Sequence, residues 1–293
     1  MRAYRFHTMD VFTDRRFGGN PLAVFPDARG LTDEEMQSLA REFNLSETTF
    51  VLPPSDPAHT ARVRIFTPGT ELPFAGHPLV GTGTLLAESD KSAKALTLEV
   101  TAGLVRVEIE RDASGRLTNA VITAPKPLTL GREFTPADLA DCLTLQAKDF
   151  VVSNHQPVFA GTGNPFIIAE VTAEAIGRAK CDIGAFGRAA EKFGMQDRFN
   201  IHFYAKDGDK IRARMYGPSF GIIEDPATGS ANTPLAALLL SLSGKESDSY
   251  QVLQGVEMGR PSLLNLTARR QEDGIVATVG GSCVPMFEGF INL

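Results

Sequence analysis

The sequence predicts an α+β protein built from two similar halves, because three short signatures occur in the same order in each half. They are a Gly-Asn-Pro turn that enters a strand, an alternating strand that ends at a proline, and a Gly-containing loop that enters an apolar helix. The first and third signatures lie 57 residues apart from Gly19 to Gly76, and 66 apart from Gly163 to Gly229. We therefore expect two pseudo-symmetric domains, each a mostly antiparallel sheet around a central helix.

The first two signatures are strands with recognisable ends. Gly-Asn-Pro is turn chemistry, and it precedes apolar residues at 22–25 and again at 166–168. The second signature, at 62–68 and at 212–218, alternates polar and apolar residues, which predicts a strand with one buried face. Further strands are expected at 97–100, 105–109, 263–268 and 274–279.

Two helices are expected in each half. Thr32 and Glu35 form a capping box before a helix whose core face comprises Met36, Leu39, Ala40 and Phe43. Its counterpart runs from about 182 to 193, ends at Gly194 as a C-cap, and turns four apolar residues inward. These four are Ile183, Phe186, Ala190 and Phe193.

The central helices follow the Gly-containing loops, and a proline is expected in the first turn of each, at Pro78 and Pro234. A proline-stiffened linker is expected near 123–135, followed by a helix capped by Thr135. We place the N-terminal domain at residues 1–124, completed by a C-terminal strand at 283–293, and the C-terminal domain at 125–282.

Composition excludes several classes of protein. The net charge is −6 and the basic residues are scattered, so nucleic acid is not an expected partner. The three cysteines are widely separated and lack metal-ligand spacing, which indicates a reducing compartment without structural zinc. The longest apolar stretch, 235–240, is far shorter than the ~20 residues that cross a bilayer, and no signal peptide is apparent. We expect a cytoplasmic protein that does not interact with membranes.

The two Gly-containing loops are candidate anion sites. The first amides of a helix have no partner within the helix, and the helix dipole favours negative charge there. Amides near Gly76 and Gly229 would hold a small carboxylate, although ordinary helix capping explains a single such loop equally well.

Three ionisable side chains near these loops are candidates for chemistry. His77 lies in the first loop, and Asp225 opens the second. Glu47 lies where a helix ends and an apolar strand begins, so partial burial is expected to raise the pKa of its carboxyl group toward neutrality. From spacing alone, a structural role for each remains an open alternative.

Six motifs, taken together and in order, resemble the PhzF-like isomerases, which are relatives of diaminopimelate epimerase, and the resemblance spans the whole chain. The motifs are Asp10-Val11-Phe12, Phe17-Gly18-Gly19-Asn20-Pro21, Ser46-Glu47-Thr48-Thr49-Phe50, Phe66-Thr67-Pro68, Gly76-His77-Pro78 and Asp225-Pro226-Ala227-Thr228-Gly229-Ser230-Ala231. The resemblance implies two diaminopimelate-epimerase-like domains, each a barrel-like sheet around a helix, with the active site in the interdomain cleft and a homodimer as the assembly.

The resemblance also implies roles for individual residues. Glu47 is implied as the general acid/base and His77 and Asp225 as further catalytic residues. Ser46, Gly76, Gly229 and Ser230 are implied as substrate-binding residues. No metal or organic cofactor is expected. The epimerase relatives use two opposed cysteines, whereas these loops carry Ala75 and Ala227-Thr228, so racemisation by two thiols is not expected.

The resulting hypothesis is an isomerase that moves a proton on a small, cyclic or unsaturated carboxylic acid. Two alternatives remain open. One is a one-base epimerase or lyase that acts on a similar acid. The other is a small-acid binding protein without turnover, against which the joint presence of Glu47, His77 and Asp225 argues.

Overall fold

The computed structural model describes residues 2–207 and 210–293, and these form an α+β chain that divides into two compact units. Unit 1 comprises the chain up to Thr123 together with Gly280–Leu293, and unit 2 comprises Ala124–Val279. Within the described ranges, no helix is both apolar enough and long enough to cross a membrane. The predicted fold class is confirmed.

The helices in chain order are α1 (Asp33–Phe43), α2 (Gly76–Ser89), α3 (Pro136–Leu143), α4 (Ala173–Arg178), α5 (Ile183–Phe193) and α6 (Gly229–Ser243). The strands as far as the end of unit 1's first segment are β1 (Ala3–Val11), β2 (Asn20–Phe25), β3 (Glu47–Leu52), β4 (Ala61–Phe66), β5 (Glu71–Leu72), β6 (Ala95–Val100), β7 (Gly103–Arg111) and β8 (Leu117–Thr123). The remaining strands are β9 (Thr129–Glu133), β10 (Val158–Gly161), β11 (Pro165–Glu170), β12 (Ile201–Asp207), β13 (Lys210–Gly217), β14 (Ile222–Asp225), β15 (Ser247–Gln254), β16 (Ser262–Gln271), β17 (Gly274–Gly281) and β18 (Cys283–Asn292).

The sheet of unit 1 curves around α2 without closing. Its strands pair in the order β18-β1-β2-β3-β4-β6-β7-β8, with β5 added to β4, and only β2–β3 and β4–β6 are parallel. Helix α2 contacts β1, β2, β3, β7 and β8, and ten of its fourteen residues are buried. A helix that is apolar all round belongs in such a core. Helix α1 packs outside, against β3 and β4.

Unit 2 repeats this plan. Its strands pair in the order β9-β10-β11-β12-β13-β15-β16, with β14 added to β13, and β11–β12 and β13–β15 are the parallel pairs. Helix α6 contacts β10, β11, β15 and β16, whereas α3 and α5 pack against each other outside. The parallel pairs occur at corresponding places in the two units, which is the repeat that the signatures predict.

The repeat extends to a partly buried ion pair. Arg64 of β4 forms a bidentate contact with Glu71 of β5, at 2.8 and 2.7 Å. Arg214 of β13 forms the same contact with Glu224 of β14, at 2.8 and 3.0 Å. Each guanidinium also lies over an aromatic ring two residues ahead, at 5.1 Å for Arg64 and 5.2 Å for Arg214.

The predicted helix signals are confirmed at both outer helices. The capping box of Thr32 and Glu35 opens α1, and Gly194 closes α5 in the left-handed conformation, with φ of 65°. The inward face predicted for α5 was wrong at Ile183, which is 56% exposed. Ile183 is the first residue after the N-cap Asp182 and lies beside the buried stripe, which passes through Ala185, Phe186, Ala189 and Ala190 instead.

Two further sequence predictions need correction. The linker predicted near 123–135 contains strand β9, which pairs with β10, so the chain is ordered there by the sheet. Helix α6 begins at Gly229, so Pro234 is its sixth residue and lies inside the helix, beyond the first turn. The preceding small residues are therefore helical and are not a loop, and a proline in the helix interior removes one main-chain hydrogen bond.

Candidate active site

The site in unit 1 is centred on Glu47 and His77, which come from different elements. Glu47 is the first residue of β3, and His77 is the second residue of α2. Glu47 Oε2 lies 3.3 Å from His77 Nδ1, and the two side chains are 12% and 5% exposed. The structure thus brings together two of the three ionisable residues that the sequence singled out.

The imidazole of His77 is neutral in this environment. Burial lowers the pKa of His77 to about 3, and a main-chain contact from Pro21 opposes the shift only in part. A neutral imidazole does not hold the Glu47 carboxylate as a salt bridge, so it does not oppose protonation of that carboxylate by its charge. Nε2 of His77 is buried and forms no hydrogen bond with any residue in the described ranges. The pair therefore offers a carboxylate and a neutral hydrogen-bonding ring.

Strand register brings a further carboxylate, that of Asp10, to the same end of the sheet as Glu47. In the antiparallel β1–β2 pair, Asp10 lies opposite Pro21, and in the parallel β2–β3 pair Leu22 lies opposite Glu47. Asp10 is 3% exposed, and its Oδ2 accepts a hydrogen bond from the amide of Phe17 at 2.8 Å. The carboxylates of Asp10 and Glu47 thus belong to the same end of three neighbouring strands. Asp10 lies in a motif of the resemblance, but sequence reasoning assigned it no role.

A second polar cluster lies in unit 2, where β14 ends and α6 begins. Asp225 is 6% exposed, and its Oδ2 accepts a hydrogen bond from Thr228 Oγ1 at 2.5 Å. Gln254 of β15 donates from Nε2 to the carbonyl oxygen of Asp225 at 2.9 Å and to Thr228 Oγ1 at 3.0 Å. Asn232 donates from Nδ2 to Gln254 Oε1 at 2.8 Å. These contacts fix the turn that contains Asp225.

Gln254 was missed by sequence reasoning because nothing in the sequence links it to a turn 26 residues earlier. Parallel pairing of β13 with β15, in which Ala213 lies opposite Gln254, brings it there. Thr228 stands in the motif that includes Asp225, and its short spacing from the aspartate was the available signal.

Neither central helix has a side-chain cap at its N-terminus. Ala75, the N-cap of α2, has no polar side chain, and Thr228, the N-cap of α6, donates its hydroxyl to Asp225. Gly76 and Gly229 are the first residues of the two helices, and both are buried. Ser230 and Ser46 are partly exposed. First-turn amides without a side-chain cap suit an anion, as the sequence predicts near Gly76 and Gly229.

In the described part of the chain, no cluster of three or more His, Cys, Asp or Glu side chains is arranged to hold a metal ion. The three cysteines are free thiols, and burial raises the pKa of Cys142 to about 12 and of Cys283 to about 11. Thiols with raised pKa values are poor nucleophiles at neutral pH. Glu47 and His77 therefore remain the candidate residues of unit 1.

The fold and the site define an α+β chain with a buried Glu–His pair, and comparison with known proteins identifies its family. The profile of the PhzC-PhzF family, described as phenazine biosynthesis-like protein, matches residues 9–289. The chain belongs to this family. The sequence-based assignment to the PhzF-like isomerases is confirmed.

Two curated relatives show the resemblance over almost the full length. An uncharacterised isomerase of Mesorhizobium japonicum is 36% identical over 300 residues, which cover 99% of both chains. The trans-2,3-dihydro-3-hydroxyanthranilate isomerase of Pseudomonas aeruginosa is 36% identical over 294 residues, which cover 98% of both chains. The predicted enzyme class, an isomerase of the PhzF type, agrees with both names.

Solved structures have the same fold. The crystal structure of a PhzF-family protein from Bacillus anthracis matches with a TM-score of 0.89 and 26% identity, over all of both chains. A predicted epimerase from Pseudomonas aeruginosa matches with a TM-score of 0.80 and 33% identity over 99% of both chains. A hydroxyproline epimerase from Agrobacterium vitis, at 16% identity and a TM-score of 0.65 over 100% of this chain and 93% of that one, shares the fold alone.

Proposed function

We propose that this protein is a cofactor-independent isomerase that moves a proton on a small, cyclic, unsaturated carboxylic acid, with Glu47 as the general acid/base. The observation that carries the proposal is the buried contact between Glu47 Oε2 and the neutral His77 ring, 3.3 Å apart. The substrate class follows the relatives named trans-2,3-dihydro-3-hydroxyanthranilate isomerase, which are 36–37% identical to this chain.

The proposed chemistry needs one base that takes a proton and returns it. Glu47 removes a proton from a substrate carbon, the electron pair of that C–H bond shifts the double bond, and the same carboxyl group protonates another carbon. His77, whose pKa burial lowers to about 3, is neutral near pH 7 and donates or accepts a hydrogen bond beside the carboxylate without adding charge. The Glu47 side chain is only 12% exposed and lies beside the neutral ring, so its carboxylate is positioned to act as the base in proton transfer.

The other predicted site residues have proposed roles in binding. The amides that follow Gly76 and Gly229 bind the substrate carboxylate, with Ser46 and Ser230 as further hydrogen-bond donors. Asp225 is proposed as a catalytic partner, and its buried bond with Thr228 holds its carboxylate in one orientation. Ser230→Ala is expected to raise KM more than it lowers kcat, because it removes a binding contact. The proposed assembly is a homodimer.

The central test is Glu47→Gln, assayed with trans-2,3-dihydro-3-hydroxyanthranilate in deuterated water. The wild-type protein is expected to form an isomer that carries deuterium, because the proton on the Glu47 carboxyl group exchanges with solvent before a proton is returned. The variant is expected to lose about 10²-fold or more in kcat, because an amide cannot act as the base. Glu42→Gln is the matched control, since Glu42 is an exposed residue of α1 five positions earlier. Undiminished turnover by Glu47→Gln would show that the assigned base is wrong.

A one-base epimerase is the second candidate, favoured by the predicted epimerase that is 33% identical to this chain. It would use the same Glu47 but return the proton to the carbon that lost it. Proton NMR of the product separates the two functions, because an isomerase moves the double bond whereas an epimerase leaves it in place. A lyase would instead release water.

A further inference from the structure

The loop between β1 and β2 contains two strained phenylalanines. In the described ranges, four residues other than glycine have a left-handed φ: Phe12, Phe17, Asn44 and Thr144. Asn44 and Thr144 are the C-caps of α1 and α3, where this conformation is common. Phe12 and Phe17, with φ of 66° and 68°, are not helix caps. A bulky L-residue pays a free-energy cost for this conformation, so its occurrence needs a cause.

The cause differs between the two. The ring of Phe12 is fully buried, so core packing offsets its strain. Phe17 is 68% exposed, so burial does not offset its strain. A main-chain hydrogen bond stabilises the backbone conformation of Phe17, because its amide donates to the buried carboxylate of Asp10 at 2.8 Å. A hydrogen bond to a buried carboxylate is among the stronger ones in proteins.

The same loop is closed tightly against β1. Gly19 has a φ of 65°, and a Cβ atom there would lie 2.3 Å from the carbonyl oxygen of Val11. The chain therefore leaves β1, exposes the Phe17 side chain to solvent and enters β2 within a few residues, whose main-chain conformation is restricted by these contacts. Residues at the start of β2 then lead to the site, since Pro21 contacts the His77 ring and Leu22 lies opposite Glu47.

We propose that Phe17 is a specificity-determining residue, whose ring packs on the planar face of a cyclic acid bound at the Glu47–His77 pair. Asp10 is its positioning residue. A strained residue whose main chain is held by a buried carboxylate is suited to present an exposed ring to a ligand, because its main-chain position is set before the ligand binds. Aromatic rings prefer planar unsaturated partners in stacked or edge-on contact. The choice of a cyclic unsaturated acid rests on the proposed function.

The test compares Phe17→Asn with Phe290→Asn. Asparagine tolerates the left-handed conformation better than phenylalanine, so Phe17→Asn is expected to keep the wild-type melting temperature or raise it. Its kcat/KM for trans-2,3-dihydro-3-hydroxyanthranilate is expected to fall about 10-fold, mostly through KM. Phe17→Tyr, which keeps the ring, should restore most of this loss. Phe290 of β18 is 65% exposed and lies opposite Arg5, so its variant should retain wild-type kinetics.

Ligand binding tests Phe17 separately from turnover. Benzoate and acetate are added to each protein, and the rise in melting temperature is measured, since a ligand of the native state stabilises it by mass action. The wild type and Phe290→Asn should gain more from benzoate than from acetate, and Phe17→Asn should lose this difference. A benzoate preference that survives in Phe17→Asn, or is missing from the wild type, would overturn the inference. A wild type that fails to isomerise the dihydro acid but keeps a Phe17-dependent benzoate preference would contradict only the proposed function.

Discussion

At the scale of single residues, the two units differ at the position of the proposed base, Glu47. Register aligns them, because Phe50 lies opposite Arg64 in unit 1 and Phe203 lies opposite Arg214 in unit 2. Three residues before each phenylalanine stands Glu47 in one unit and Asn200 in the other. Asn200 is fully buried, and its Oδ1 accepts a hydrogen bond from Ser219. An amide cannot take and return a proton, so the repeated strand supplies this base only once.

Unit 2 also contains a buried histidine, which affects how stability depends on pH. His202 of β12 has no exposed surface, and burial lowers its pKa to about 3, although the Asn232 side chain opposes the shift in part. In the unfolded chain the His202 imidazole binds a proton below about pH 6.5, whereas in the folded chain it stays neutral down to about pH 3. The contribution of His202 to the free energy of unfolding is therefore fully present above pH 6.5 and is lost as the pH falls toward 3.

His202→Asn is therefore expected to flatten the acid limb of the stability curve. Between pH 4 and 6, the free energy of unfolding should change by about 1.4 kcal/mol less per pH unit than in the wild type. Urea unfolding at several pH values measures this slope, which is independent of any constant loss of stability caused by the substitution. An unchanged slope would mean that His202 is protonated in the folded chain.

At the scale of elements, the central helices depend on small residues. In α2, a Cβ atom on Gly81 would lie 2.5 Å from Leu22 Cδ2 and 2.8 Å from Val11 Cγ2. A Cβ atom on Gly83 would lie 2.7 Å from Val107 Cγ1. These glycines let α2 approach the sheet closely. This close approach explains why a residue type that disfavours helices occurs inside this one.

Gly81→Ala is expected to destabilise the protein by about 1–3 kcal/mol, since the methyl group overpacks the core. Gly187→Ala in α5 is the matched control, because nothing lies within 4 Å of a Cβ atom at that exposed helical position. The control should be neutral or stabilise by up to about 1 kcal/mol, through helix propensity alone. Equal effects of the two substitutions on the melting temperature would refute the close approach of α2 to the sheet.

At the scale of the whole chain, unit 1 is discontinuous in sequence. Strand β18 returns from the C-terminus and pairs with β1 through nine residue pairs. The chain ends also meet, because the amide of Leu293 donates to the carbonyl oxygen of Arg2 at 2.9 Å and the amide of Arg2 donates to that of Leu293 at 2.8 Å. A short turn could therefore join residue 293 to residue 2.

A permuted fragment tests whether unit 1 is a folding unit. Residues 280–293, an Asn-Gly turn and residues 2–123 are joined in that order, which makes β18 and β1 a hairpin. We expect this fragment to unfold cooperatively on heating, as followed by circular dichroism. Residues 2–123 alone should not, because β1 and the core residue Tyr4 beside Ile291 lose their cover. Cooperative unfolding of the shorter fragment would show that β18 is dispensable.

What the sequence determined by itself was local or repeated. The capping box of Thr32 and Glu35, the C-cap Gly194 and the duplicated strand signatures were each readable, because their physical causes lie within a few residues or recur in order. The motifs also identified the family, and Glu47 was expected at the start of its strand.

Other features were decided only by tertiary structure. The length of α6 around Pro234, strand β9 in the expected linker and the exposure of Ile183 depend on what the rest of the unit packs against them. Gln254 reaches Asp225 through pairing of strands distant in sequence, and the neutral state of His77 follows from burial by the core. Local patterns specify turns and caps, whereas burial and long-range register arise only when the sheet assembles, because they depend on residues far apart in the chain.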